Sequence, residues 1–305
     1  MKISILGARG QIARSLISLY VQKNELSNLA LYSRAPEALM SEIKGARVYR
    51  SQDFSIHDHD VIINCIGMSN LKGSKNSGAE IFRIHETWDN FILEYLKRNE
   101  KVLYINMSSG AVYGKDFQNP IDEKSCLLNG ITEISPSDNY AVSKLNSEAK
   151  HRSYAKLSIV DLRIFSYISK FIDFNSNFLI SEIMAAVKNK KVFITDDRNI
   201  FRDYIHPEDM IQIIDLIIKR WKEDGFINGV FDIYSKNPVT KIDMLQGISE
   251  KFNLKYEIKT GTNVNSSPTG FKMNYYSLNK KLKKLGYEPR YSSLDAILKV
   301  MSEVL

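Results

Sequence analysis

The sequence predicts an α/β protein: a doubly wound parallel sheet with a smaller mixed α/β cap at the C-terminal side. Three observations predict it. Short β-rich apolar runs alternate with helical patterns through the first half, a glycine-spaced turn joins the first run to the first helix, and the alternation weakens after Phe165. Strands separated by helices in this way pair in parallel and are covered on both faces.

The first expected strand, Ile3–Leu6, runs directly into a turn spaced Gly7, Gly10, Ala13. In the helix that follows, Ile12, Ala13, Leu16, Ile17 and Tyr20 recur at helical spacing and make one apolar face for the sheet. Residues 29–32, 61–66, 102–107 and 159–165 read as further buried strands. A helix over 81–98 gathers Phe82, Trp88, Phe91, Ile92 and Tyr95, and Lys97, Arg98 and Lys101 complement its negative C-terminal end. Beyond Phe165, helices are expected at 180–188 and 208–221, strands at 192–194 and 230–234, then helices at Lys241–Phe252 and 294–305. Residues 1–166 with about 200–235 are therefore assigned to a dinucleotide-binding core, and about 167–199 with 236–305 to a substrate-binding cap.

With 305 residues, 44% hydrophobic and 25% charged, the chain can bury a large core as one big domain or two coupled ones. No apolar run approaches the roughly 20 residues of a membrane-spanning helix. No secretory segment is recognised at Met1, so a cytoplasmic protein without membrane association is expected. Cys65 and Cys126 lack metal-like spacing, which predicts reduced thiols and no metal site. The net charge of +7 favours an anionic ligand such as a diphosphate, while Lys280, Lys281, Lys283 and Lys284 read as a solvated face. No basic, aromatic-interleaved patch suggests nucleic acid.

The glycine turn lets a pyrophosphate approach bare backbone and a positive helix end, the Rossmann-type arrangement. A turn that only joins strand to helix is the alternative, and its place directly after the first strand favours the dinucleotide. Tyr140 and Lys144 stand four apart, one turn apart on a single helix face. An ammonium beside a phenol favours the phenolate; lowering the phenol by about three pH units corresponds to about 4 kcal/mol. Tyr140 is thereby expected to exchange a proton with a substrate oxygen. The strand at 102–107 leads into Ser108, Ser109 and Gly110, and the carboxyl end of a parallel strand faces the ligand crevice. A hydroxyl there stabilises charge on the oxygen that Tyr140 protonates or deprotonates. Together these residues predict hydride transfer to or from a carbon bearing a hydroxyl or carbonyl group.

With these residues in this order, the chain resembles the extended short-chain dehydrogenase/reductase family, in its sugar-nucleotide epimerase, dehydratase and reductase branch. The matching stretches are GARGQIA, VIINCIG, MSSGAVYG, YAVSK, DLRIF, FRDYIHPEDM and KLGYEP, which span nearly the whole chain. The resemblance implies Ser109 as catalytic hydroxyl, Tyr140 as acid or base and Lys144 as ribose-binding partner. It implies a cofactor site made of Gly7, Arg9, Gly10, Gln11, Ile12, Ser33, Arg34, Cys65, Ile66 and Gly67, with Tyr140 and Lys144, the stretch from Asn64 to Gly67 lining the cofactor. On the substrate side it implies Ser108, Gly110, Phe165, Arg202 and Lys272, with Arg202 near a sugar-nucleotide diphosphate. The chain departs from the family in four places. Ala13 replaces the third glycine; Phe165 to Ile168 replace an Asn and a Gly-Pro pair, which points to an unusual pocket. His85 replaces an asparagine and is expected to be buried and hydrogen-bonded, not catalytic. Gly110 and Ala111 stand where dehydratases carry an acidic pair, which disfavours elimination of water.

Ser33 and Arg34 follow the second strand with no acid to hold a ribose hydroxyl, which favours NADP over NAD, with NAD as the alternative. The expected activity is reduction of a keto group on a nucleotide-linked sugar, in surface polysaccharide or deoxysugar biosynthesis. A nucleotide-sugar epimerase that retains its cofactor is the alternative. A non-catalytic dinucleotide sensor is a third reading, against which the complete trio argues. The helix with Phe91 and Tyr95 either pairs with a second copy in a homodimer or packs on the sheet.

Overall fold

The computed structural model describes residues 1–67, 77–114, 117–125, 136–261 and 271–305. Cys126 lies outside these described residues. In chain order, β1 (Ile3–Leu6) leads into α1 (Gln11–Gln22), followed by β2 (Leu29–Ser33), α2 (Pro36–Glu42), β3 (Arg47–Arg50), β4 (Val61–Asn64), α3 (Ser77–Leu96), β5 (Leu103–Ser109), α4 (Asn139–Ser153) and β6 (Ser158–Ile164). The second half adds β7 (Ser166–Tyr167), α5 (Leu179–Lys188), β8 (Phe193–Asp196), β9 (Phe201–Arg202), β10 (Tyr204–Ile205), α6 (Pro207–Asp224) and β11 (Asn228–Asp232). It closes with β12 (Val239–Thr240), α7 (Lys241–Phe252), β13 (Tyr256–Lys259), β14 (Asn274–Tyr275) and α8 (Ser293–Val304).

Seven strands form one sheet in the order β11-β6-β5-β4-β1-β2-β3, parallel at every pairing. The winding reverses between β1 and β4, so the ligand crevice lies outside the carboxyl ends of these strands. Every residue of β1, β2, β4, β5 and β6 is buried, which is why each announces itself as an apolar run. By contrast, β3 at the sheet edge buries only Val48 of Arg-Val-Tyr-Arg. It carries no apolar run, and neither β3 nor the seven-residue α2 was expected from the sequence. Two boundaries also move. β4 stops two residues early, because the Asn64 side-chain oxygen accepts the Ile66 N–H at 3.0 Å and turns the backbone. β5 continues through Ser109, whose neighbour across the sheet is Ile164.

α1 and α6 cover one face of the sheet through Leu16, Ile17, Tyr20, Ile213, Ile214 and Ile217, and α3 covers the other through Ile92, Leu93 and Leu96. A separate core joins α5, α7 and α8 through Met184, Leu245, Ile297 and Val300. The two cores interlock across the expected division: Tyr204 packs in the second, whereas Leu282 and Tyr287 pack in the first. Tyr95 is buried on the sheet, 5.4 Å from the Phe54 ring, and Phe91 lies 5.8 Å from the same ring. Lys281, Lys283 and Lys284 are exposed, on a 3₁₀ turn and not on an α-helix. No helix among the described residues is long and apolar enough to cross a membrane.

Candidate active site

The crevice begins at the turn between β1 and α1. Gly7 adopts φ +69°, and a Cβ on it would lie 2.9 Å from both the Cys65 carbonyl carbon and the Ile66 nitrogen. Only glycine satisfies that conformation and that approach together. The Gly10 N–H donates to the Gly7 carbonyl at 2.8 Å, closing the loop. α1 then starts with no side-chain cap and no acid in its first turn, which leaves its first amides for an anion. The Gln11 Nε2 atom is buried without a hydrogen-bond partner among the described residues. A bare-backbone cradle beside an unsatisfied donor fits a pyrophosphate group. Cys65 and Ile66 are partly buried across the switch point from this loop, and Gly67 is exposed. Ser33 is buried at the end of β2, its hydroxyl accepting the Ala35 N–H at 3.2 Å, whereas Arg34 and Arg9 are exposed. Arg50, which the sequence reading missed, ends β3 in register with Ser33.

The chemical groups meet at the carboxyl end of β5. Successive strand residues point to opposite faces, so Ser108 and Ser109 part company. The Ser109 hydroxyl accepts the Ala111 N–H at 3.1 Å and lies 3.5 Å from the Tyr275 hydroxyl. Tyr140 sits in the first turn of α4, half-buried, and also engages Ser109. One turn on, the buried Lys144 ammonium donates to the Met107 carbonyl at 2.8 Å and ties α4 to β5. Burial raises the Tyr140 phenol above its ordinary pKa, with the Ser109 hydrogen bond acting the other way. The lowering expected from the neighbouring ammonium is therefore not observed, because Lys144 is directed at Met107 and desolvation dominates. Burial likewise lowers Lys144, against the charges of Asp89 and Asp161. His85 is buried, its Nδ1 2.7 Å from the Ser143 hydroxyl and its ring 5.8 Å from that of Tyr140. Burial, aided by Lys144, pushes His85 down to about 3, so it is neutral. It is the buried, hydrogen-bonded histidine the sequence predicted.

Ser108 corrects an expectation. Its hydroxyl donates to Glu148 Oε1 at 2.5 Å, on the face away from Ser109, and its one proton is committed there. Glu148 pairs with Arg163 at 2.6 Å; Arg163 in turn donates to the Tyr113 hydroxyl at 2.7 Å, and Tyr113 donates to Asp232 at 3.0 Å. Gly110 contributes through lack of a side chain: a Cβ there would lie 2.5 Å from Cδ1 of Phe165. The Phe165 ring occupies that space and packs 5.2 Å from Tyr275. Arg202 Nη1 donates to the Lys272 carbonyl at 2.9 Å, and the buried Lys272 ammonium stands 4.9 Å over the Tyr275 ring. Ser109, Tyr140, Lys144, Gly110 and Phe165 thus come together, with Arg202 and Lys272 beside them around Tyr275. Sequence reading missed Tyr275, Glu148 and Asp232. Arg163 had a usable signal, a charge inside the apolar strand DLRIF, which burial tolerates only with partners. Tyr275 had none.

A parallel sheet with a glycine cradle at its switch point and a serine, tyrosine and lysine at one strand end defines a protein of the short-chain dehydrogenase/reductase class. The family model described as the NAD dependent epimerase/dehydratase family matches residues 3–231, and the chain belongs to that family. Among solved structures it is similar to UDP-glucuronic acid 4-epimerase of Bacillus cereus, with TM-score 0.79 and 17% identity over 100% of this chain and 99% of that one. It is also similar to UDP-glucose 4-epimerase of Thermotoga maritima, with TM-score 0.78 and 16% identity over 99% and 98% of the two chains. A third is dTDP-glucose 4,6-dehydratase of Bacillus anthracis in complex with NAD, with TM-score 0.76 and 16% identity over 99% and 96%. At these identities the likeness is one of fold. No curated protein matches the chain significantly.

Proposed function

We propose that this protein is an NADP(H)-dependent oxidoreductase that reduces a keto group on a nucleotide-linked sugar. The observation that carries this reading is the Tyr140 phenol beside the Ser109 hydroxyl at the end of β5, raised by burial and therefore protonated at neutral pH. A nicotinamide dinucleotide held at the turn of Gly7 and Gly10 would supply the hydride. Tyr140 gives its proton to the oxygen of the reduced carbon, and Ser109 hydrogen-bonds the same oxygen while charge develops on it. Lys144, tied to the Met107 carbonyl, is assigned to the ribose in this reading. Arg202 and Lys272, beside the Tyr275 ring, supply positive charge for a diphosphate. Arg34 and Arg50, at adjacent strand ends, support a 2′-phosphate and hence NADP. The absence of an acid at Gly110 and Ala111 supports reduction over elimination of water.

A second reading, an epimerase that retains its cofactor, is favoured by the family's description and by the two epimerases of like shape. The same three side chains serve both hydride steps. The test is NADPH oxidation against a panel of nucleotide-linked 4-keto sugars. Net NADPH loss is expected, with kcat falling about a hundredfold in Tyr140→Phe while NADPH affinity is unchanged. A tightly copurified oxidised cofactor with no net consumption selects the epimerase, and full turnover by Tyr140→Phe removes the mechanism altogether.

A further inference from the structure

We infer that Tyr275 is a positioning residue for proton transfer: its hydroxyl and the Ala111 amide together orient Ser109 so that the serine's single proton faces Tyr140. The inference rests on the reading of Ser109 and Tyr140 as the proton-transfer pair. A serine hydroxyl has one proton and two acceptor sites. The Ala111 N–H fills one acceptor site of Ser109 at 3.1 Å, and the Tyr275 hydroxyl approaches the same oxygen at 3.5 Å. With Tyr275 as the donor across that contact, whose geometry admits either oxygen as donor, both acceptor sites are filled and the Ser109 proton is left to be donated, to the Tyr140 oxygen or to a substrate oxygen between them. Without Tyr275, the hydroxyl is free to rotate and accept from Tyr140, which ties up the phenol proton that the substrate oxygen needs. Hydrogen bonds in such a chain also strengthen one another.

The surroundings keep Tyr275 a donor and hold it in place. Burial pushes its phenol up to about 12, with Ser109 and Arg202 acting the other way, so it stays protonated. Its ring meets Phe117 and Phe165 edge-to-face, at 4.9 and 5.2 Å. Tyr275 is in register with Arg202 of β9, the preceding Asn274 N–H donates to the Phe117 carbonyl at 2.8 Å, and Ser277 donates to Asp232 at 2.6 Å. Among the described residues, the other titratable groups near Tyr140 are Lys144 on its own helix, turned to Met107, and His85 from α3, which is neutral. Arg202 lies behind Tyr275, 5.9 Å from its ring. Docking of β14 therefore completes the proton-transfer site.

Tyr275→Phe removes one oxygen and keeps the ring packing. The tyrosines are labelled with ¹³C at Cζ, whose resonance reports hydrogen bonding at the phenol oxygen, and Tyr140 is assigned with Tyr140→Phe. At neutral pH the Tyr140 resonance is expected to shift in Tyr275→Phe, and the same substitution in a Ser109→Ala background is expected to leave it where it is. Equal shifts in both backgrounds, or none in either, overturn the proposal. In turnover, Tyr275→Phe is expected to lower kcat about tenfold with KM changed less than about twofold; an unchanged kcat also overturns it. The resonance experiment needs no substrate, so it decides on Tyr275 even where the sugar-reduction reading fails.

Discussion

The two walls of the crevice, one proposed for the nucleotide and one proposed for the substrate, are built on different principles. The nucleotide wall is backbone: Gly7 lies close against the main chain of Cys65 and Ile66, and α1 presents uncapped amides. The substrate wall is side chains brought from distant parts of the chain, with Tyr275 meeting Ser109 across 166 positions and Phe165 filling the space left by Gly110. A backbone cradle tolerates no added atom but asks little of its neighbours' chemistry. A side-chain wall can be retuned, and its cost falls on packing and hydrogen bonds.

Four experiments would break or sharpen this contrast, taken from the largest effect down. A Cβ at residue 7 meets backbone at 2.9 Å in a left-handed conformation. Gly7→Ala should therefore lose at least about a hundredfold in dinucleotide affinity, about 2.7 kcal/mol, by fluorescence titration. Tight binding by this variant would end the claim that the cradle is backbone.

Beneath both walls, His151 is buried between Asp89 at 2.7 Å and Asp161 at 2.8 Å. Burial alone would lower it, but the charges and hydrogen bonds of the two carboxylates win and raise it from 6.5 to about 9. A value raised in the folded state means that His151⁺ contributes its full stability below pH 6.5 and loses it as the pH rises through about 9. Urea unfolding should weaken by up to roughly 3 kcal/mol over that window. His151→Gln should flatten the slope; an unaltered slope assigns it to other groups.

Gly110→Ala should displace Phe165, costing about 1–3 kcal/mol in thermal unfolding and raising the sugar KM with NADPH affinity unchanged. If cofactor binding falls instead, the two walls are not separable. Arg34→Ala should weaken NADPH binding about fivefold, on the scale of about 1 kcal/mol for an exposed charge pair, and leave NADH binding alone. Equal losses for both cofactors would remove the 2′-phosphate assignment.

The glycine cradle and the Tyr140–Lys144 pairing were legible before the structure because their parts are local. Gly7, Gly10 and Ala13 follow β1 directly, and Tyr140 and Lys144 are four apart on one helix. Burial of whole strands wrote β1, β4 and β5 into the sequence as apolar runs. The edge strand β3, with one buried residue, left no such trace, and with it went Arg50. Ser108 and Ser109 were both read as facing the ligand, since adjacency says nothing about which of two opposed faces is the site.

Periodicity and glycine spacing were enough to determine the buried strands, the helices between them, the switch-point loop and the pairing of Tyr140 with Lys144 on one helix face, because each depends on residues a few positions apart. The orientation of Ser108 toward Glu148, the upward shift of the Tyr140 phenol and the arrival of Tyr275 beside Ser109 were decided only by folding. Those outcomes depend on desolvation and on contacts between distant segments, and neither quantity exists until the chain has closed on itself.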